Sequence, residues 1–153
     1  MNVLFVCTGN TCRSPMALAA ARKIASEDER LKGFSFDSAG TDAPEGFPAS
    51  KGALIAMREA GTDLGAHRSK RFTERLAEWA DVIFAMEQRH IAAMTAIAPD
   101  GRSKMRLLCE YSHTGGGIPD PFGADIETYR AVRDAISAAV EKALKKLAAQ
   151  NNL

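Results

Sequence analysis

Val3-Leu4-Phe5-Val6 runs without alternation into Cys7, and a polar loop follows at once. A strand with one wet face would alternate apolar and polar residues. An unbroken apolar run of this length reads as a strand buried on both faces, as in a parallel sheet covered by helices. After the loop, Ser14-Pro15 reads as an N-cap followed by proline at the first helical position. An alanine-rich helix is then expected to about Glu27.

The rest of the chain alternates in the same way. Phe34–Asp37 reads as a second strand, ending in Ser38-Ala39-Gly40. Ala49–Ala60 reads as a helix closed by Gly61, and Thr73–Trp79 as a short helix capped by Thr73. Val82–Ala85 is a third strand, Glu87–Ile97 a helix ended by Pro99, and Met105–Cys109 a fourth strand. Near the end, Ile126, Tyr129, Val132, Ile136, Val140, Leu144 and Leu147 recur at steps of three and four, the stripe of a helix packed on a core. Strands separated by helices pair in parallel through crossovers. The expected fold is therefore an α/β three-layer sandwich, a four-stranded parallel twisted sheet with helices on both faces. It forms one domain over residues 1–153.

Composition narrows the function classes. A formal net charge of +1 gives no polyelectrolyte argument for nucleic acid or membrane binding. No apolar run reaches the roughly 18 residues of a membrane span, and the short run after Met1 is not a signal peptide. The expected location is the cytoplasm. Three cysteines, Cys7, Cys12 and Cys109, do not make a disulfide framework. No Cys-x-x-Cys pair exists and His67, His90 and His113 lack ligand spacing, so neither a metal nor another cofactor is expected.

In parallel sheets, ligands sit beyond the carboxyl ends of the strands. The loop Thr8-Gly9-Asn10-Thr11-Cys12 lies there and feeds a helix N-terminus, where free N–H groups and the helix dipole favour an anion. Gly9 permits a tight turn, and successive amides can form an anion nest. No Gly-Lys-Ser/Thr follows, so this is not a Walker loop. Arg13 instead offers a planar fork for two phosphate oxygens. The same field favours a thiolate at Cys7, and Ser14 can donate a hydrogen bond to it. The constellation reads as a sulfur nucleophile beneath a phosphate pocket. Asp120, in Pro119-Asp120-Pro121-Phe122, is the candidate general acid and base, its backbone restricted by the flanking prolines. Gly115–Gly117 is expected to give this loop mobility.

Cys7, five residues, then Arg13-Ser14-Pro15, with Asp120-Pro121 late in the chain, resembles the low-molecular-weight protein-tyrosine phosphatases over nearly the whole length. Asp37–Thr41, His67, Asp81–Met86 and the terminal helix fall where that family has corresponding segments. The resemblance implies a metal-free, two-step hydrolysis of phosphorylated proteins through a cysteinyl-phosphate. It implies that Asn10, Ser14, Ser38 and His67 form a network holding the loop. It also implies that Cys12 matches a thiol able to bridge reversibly to Cys7; a packed, unreactive Cys12 is the other reading.

Cys7-Thr8-Gly9-Asn10-Thr11-Cys12-Arg13-Ser14 together with Asp120-Pro121-Phe122-Gly123 resembles the bacterial subgroup acting on phosphoarginine, and the lack of an aromatic in Asp42–Glu45 departs from the family's tyrosine phosphatases. Thr11 leaves room for a branched guanidinium, and Asp120 can pair with it; Phe122 could equally stack on a phosphotyrosine ring. Two other functions stay in view: an arsenate reductase on the same fold, and a non-catalytic phospho-ligand binding module. The first needs further redox cysteines, and the second needs neither Cys7 nor Asp120. Cys109 reads as strand core, His67 as structural, and Arg68–Arg71 as a solvated basic face. His90, His113 and Trp79 receive no functional reading.

Overall fold

A computed structural model describes residues 1–152. Its strands are β1 (Asn2–Cys7), β2 (Ser35–Gly40), β3 (Val82–Ala85) and β4 (Met105–Leu107). They form one sheet in the order β2-β1-β3-β4, every pair parallel. The principal helices are α1 (Arg13–Glu27), α2 (Lys51–Glu59), α3 (Glu74–Trp79), α4 (Gln88–Ile97), α5 (Leu108–Tyr111) and α6 (Ile126–Asn151). Short 3-10 turns at Glu29–Leu31 and Pro99–Lys104 complete the connections.

The opening apolar run is one of the two inner strands, covered on both faces, which is why it lacks alternation. Val3, Phe5 and Cys7 join a core with α1 and α6. Leu4 and Val6 join a second core with Ala77 of α3 and Ile91 and Met94 of α4. Phe5 and Phe84 stack across β1 and β3 with ring centroids 6.0 Å apart. Each such fully buried side chain stabilises the fold by about 1.5–3 kcal/mol. The expected stripe of α6 is buried at Tyr129, Val132, Ile136, Val140, Leu144 and Leu147. Thr73 caps α3 by accepting from the Leu76 N–H.

Three local expectations are corrected. Helix α1 starts at Arg13, with Cys12 as the N-cap residue and no side-chain cap. Ser14 does not cap because its hydroxyl is committed to Cys7, Asn10 and the Ala39 carbonyl. Strand β2 starts at Ser35 rather than Phe34 and runs through Gly40, where β1 pairs with it in register up to Cys7. Strand β4 stops at Leu107, and Cys109 lies buried in the one-turn helix α5. Leu107-Leu108-Cys109 is an apolar run too short for its period to separate strand from helix.

Parallel pairing places the carboxyl ends of β1, β2 and β3 side by side. The Thr41 N–H donates to the Cys7 carbonyl, and the Asp42 N–H to the Thr8 carbonyl. The segment after β2 therefore braces the loop after β1. Gly40 is required at this junction, since a Cβ there would lie 2.3 Å from the Thr8 carbonyl oxygen and 2.9 Å from Asn10 N.

Candidate active site

The loop after β1 is held from behind by one buried asparagine. Asn10 adopts a left-handed backbone, φ 53°, which asparagine tolerates better than most residues. Its Nδ2 donates to Ser14 Oγ (2.8 Å) and Ser38 Oγ (3.0 Å), and its Oδ1 accepts from the Lys70 N–H (3.0 Å). Its carbonyl lies 2.7 Å from His67 Nε2. With the Asn10 carbonyl as acceptor, His67 is the donor, and burial pushes its pKa down. Asn10, Ser14, Ser38 and His67 thus form one network behind the loop. Among the described residues, no backbone carbonyl accepts from the N–H of Gly9, Asn10, Thr11 or Cys12. These amides are thus left without an acceptor in the protein, as an anion nest requires.

Cys7 Sγ lies at the base of this loop, 3% exposed. Ser14 Oγ is 2.9 Å away. That oxygen accepts from Asn10, so its single hydrogen is shared between two acceptors, the Cys7 sulfur at 2.9 Å and the Ala39 carbonyl at 3.3 Å, of which the sulfur is the nearer.

Arg13 is 1% exposed, yet it reaches the same hollow. Its Nη1 donates to the Ile118 carbonyl (2.9 Å) and to the carboxylate of Glu87. Its Nη2 is 3.8 Å from Asp120 Oδ2. Glu87 also binds Arg89, at 3.1 and 3.3 Å. Hydrogen bonds from Arg89 and then Arg13 hold the Glu87 carboxyl down at about 2, outweighing its partial burial. A buried guanidinium needs such a partner, because an unpaired charge there would be costly.

These groups open into a cleft of about 360 Å³. Cys7, Thr8, Gly9, Thr11, Cys12, Arg13, Asp120 and Phe122 line it, together with Pro44 and Phe47. Asp120 Oδ1 accepts from the Phe122 N–H at 3.0 Å, which fixes the turn that carries both side chains. Phe122 is 73% exposed and Phe47 57% exposed, so two aromatic rings stand at the mouth. Among the described residues, no cluster of three or more His, Cys, Asp or Glu could hold a metal.

The model of the low molecular weight phosphotyrosine protein phosphatase family matches residues 2–153. The chain belongs to that family. It is 40% identical over 146 residues to a protein-arginine-phosphatase of Geobacillus stearothermophilus, covering 95% of each chain. It is 34% identical to the low molecular weight protein-tyrosine-phosphatase Etp of Escherichia coli, covering 95% of this chain and 94% of Etp. In structure it is similar to the YwlE arginine phosphatase, captured as a cysteine-to-serine mutant with a phosphorylated active site serine. That match has a TM-score of 0.91 at 35% identity, over 96% of this chain and 95% of the other.

Against this low molecular weight phosphatase frame, several site residues were invisible in the sequence. Asp42–Glu45 holds no aromatic, but Phe47, just beyond it in a loop whose path no periodicity reveals, lines the cleft. Glu87 is the second residue beyond β3, so the rule that singled out Cys7 applied there too. Tyr129 reads as core from its stripe, but its hydroxyl lies 3.4 Å from Cys12 Sγ and 3.2 Å from Ser50 Oγ. The stretch Arg68–Arg71 is not simply a solvated face. Ser69 is buried, Lys70 pairs with Asp37 at 2.6 Å, and Arg71 bridges to Gly40.

Proposed function

We propose that the chain is a cysteine-dependent protein phosphatase, with phosphoarginine in proteins as its preferred substrate and Cys7, Arg13 and Asp120 as its reacting centre. The observation that carries the reading is convergence. A sulfur with a hydroxyl donor at 2.9 Å, a ring of free amides, a buried guanidinium and a carboxylate meet in one cleft.

In the first step Cys7 Sγ attacks phosphorus in line, and the bond from phosphorus to the leaving nitrogen or oxygen breaks. Asp120, in its acid form, gives that atom a proton. The loop amides and Arg13 stabilise the charge on the equatorial oxygens. In the second step water attacks the cysteinyl-phosphate, Asp120 takes the water's proton, and the S–P bond breaks to release phosphate. Thr8, Gly9, Asn10, Thr11, Cys12 and Ser14 supply amides or hydroxyls to the pocket. Ser38 and His67 support the loop from behind.

Thr11 at the cleft supports the arginine preference, since a small polar side chain leaves width for a guanidinium. The exposed carboxylate of Asp120 can pair with that cation, and Phe47 and Phe122 offer flat faces to its plane. The deciding measurement compares kcat/KM on phosphoarginine and phosphotyrosine peptides of one sequence. A higher value on phosphoarginine, shifted toward phosphotyrosine by Thr11→Ile, is the expected result. Equal or reversed preference in the wild type would refute the substrate assignment.

A further inference from the structure

His90 lies at one side of the cleft, outside the reacting groups, and is 1% exposed. Its Nδ1 is 3.1 Å from the backbone N–H of Glu87. That N–H can only donate, so Nδ1 carries no proton. Burial, then the nearby cations Arg13 and Arg89, push the His90 pKa down to about 4, so near neutral pH the ring has one N–H. That hydrogen must sit on Nε2. Nε2 is 2.8 Å from Thr8 Oγ1, and Thr8 follows Cys7 directly.

The direction of the second bond has a consequence for Thr8. A hydroxyl has one hydrogen and two acceptor lone pairs. With His90 as the donor, the Thr8 oxygen accepts, and its own hydrogen is not spent on the imidazole. Thr8 lines the cleft with Cys7 and Arg13. The other end of the ring holds the backbone of Glu87, whose carboxylate holds Arg13. One imidazole therefore joins the loop after β1 to the clamp on the guanidinium.

We propose that His90 is a positioning residue for the anion pocket: it fixes Thr8 through Nε2–H and leaves the Thr8 hydroxyl hydrogen to be donated to the phosphoryl group in the cleft. The proposal rests on the phosphatase reading for the nature of that anion. It differs from the bond network behind the loop, because it acts on the cleft side and through a defined tautomer.

Two substitutions separate the ends of the ring. His90→Asn keeps an acceptor near the place of Nδ1 and removes the group that reaches Thr8. His90→Gln puts an amide N–H near the place of Nε2. Orthophosphate affinity by calorimetry and kcat and KM on p-nitrophenyl phosphate are measured for both, for Thr8→Val, and for the Thr8→Val/His90→Asn double variant. Loss of one hydrogen bond to a charged group is roughly a tenfold effect. His90→Asn and Thr8→Val should each weaken phosphate binding and kcat/KM by roughly that factor. His90→Gln should recover most of it, and the double variant should be no worse than either single one. Wild-type 15N imidazole spectra should show His90 protonated at Nε2 alone.

Multiplying losses in the double variant would overturn the proposal. So would an Nδ1–H tautomer, or a His90→Asn protein with a lowered melting temperature and unchanged kinetics and affinity. Wild-type protein that binds phosphate but hydrolyses nothing would defeat the phosphatase reading alone, since the affinity cycle still decides the role of His90.

Discussion

Cys7, Arg13 and Asp120 divide the proposed chemistry so that each substitution has its own signature. Cys7→Ser should abolish turnover of p-nitrophenyl phosphate while orthophosphate still binds, because the amides and Arg13 remain; retained turnover would remove the sulfur as nucleophile. Asp120→Ala should lower kcat by roughly 10² to 10⁴ on substrates with poor leaving groups, and an unchanged rate would reassign the acid. Glu87→Gln removes the charge beside Arg13 but keeps an acceptor. It should cost roughly ten- to a hundredfold in kcat/KM, mostly through weaker phosphate affinity; a wild-type phosphate affinity would show that Arg13 needs no clamp. Cys7 and Arg13 were legible in sequence because a strand, a tight loop and a helix start bring them together locally. Glu87 is the N-cap of α4 and His90 lies in the first turn of that helix, and only the strand order puts them beside β1. Ser14 misled as a cap because helix starts and thiolate partners call for the same hydroxyl.

Strands and helices position the site through a few tight approaches. Gly40→Ala should lose both stability and phosphate binding, since the added Cβ meets the Thr8 carbonyl at 2.3 Å. Gly52→Ala in α2 should destabilise the α2–α6 contact, as its Cβ would lie 2.4 Å from the Tyr129 ring. Thermal melts of the two with phosphate titrations separate them: only the first should also lose the ligand. Ser50, the N-cap of α2, meets Cys12 Sγ at 3.1 Å, so the second loop thiol is tethered to this same junction. The α6 stripe was readable because a long helix repeats its period many times. Strand β4 was readable as a strand but not in its end, because an apolar run of a few residues does not show where strand gives way to helix.

Taken whole, the molecule should weaken on its acid side in two stages. His90 is held neutral, with a pKa near 4 against an ordinary 6.5. The unfolded chain therefore binds the extra proton first. Its contribution is complete above about 6.5 and is lost as pH falls toward 4. His67, also shifted down, acts in the same direction. Glu87, lowered from 4.5 to about 2, contributes above about 4.5 and is lost as pH falls toward 2. Urea midpoints followed against pH should show both stages, and His90→Asn should flatten the upper one; a profile identical to wild type would contradict the neutral imidazole. The three-layer class was visible in the alternation of elements, but the neighbour order β2-β1-β3-β4 was not, since crossover length alone does not say which strand lies beside which. That order has a further effect during synthesis. In the direction of synthesis Cys7 and Arg13 come before the turn that carries Glu87 and the proline-framed aspartate. A chain cut short between them would hold the sulfur and the guanidinium without the carboxylates that clamp that guanidinium and protonate the leaving group, and so could not complete the proposed cycle.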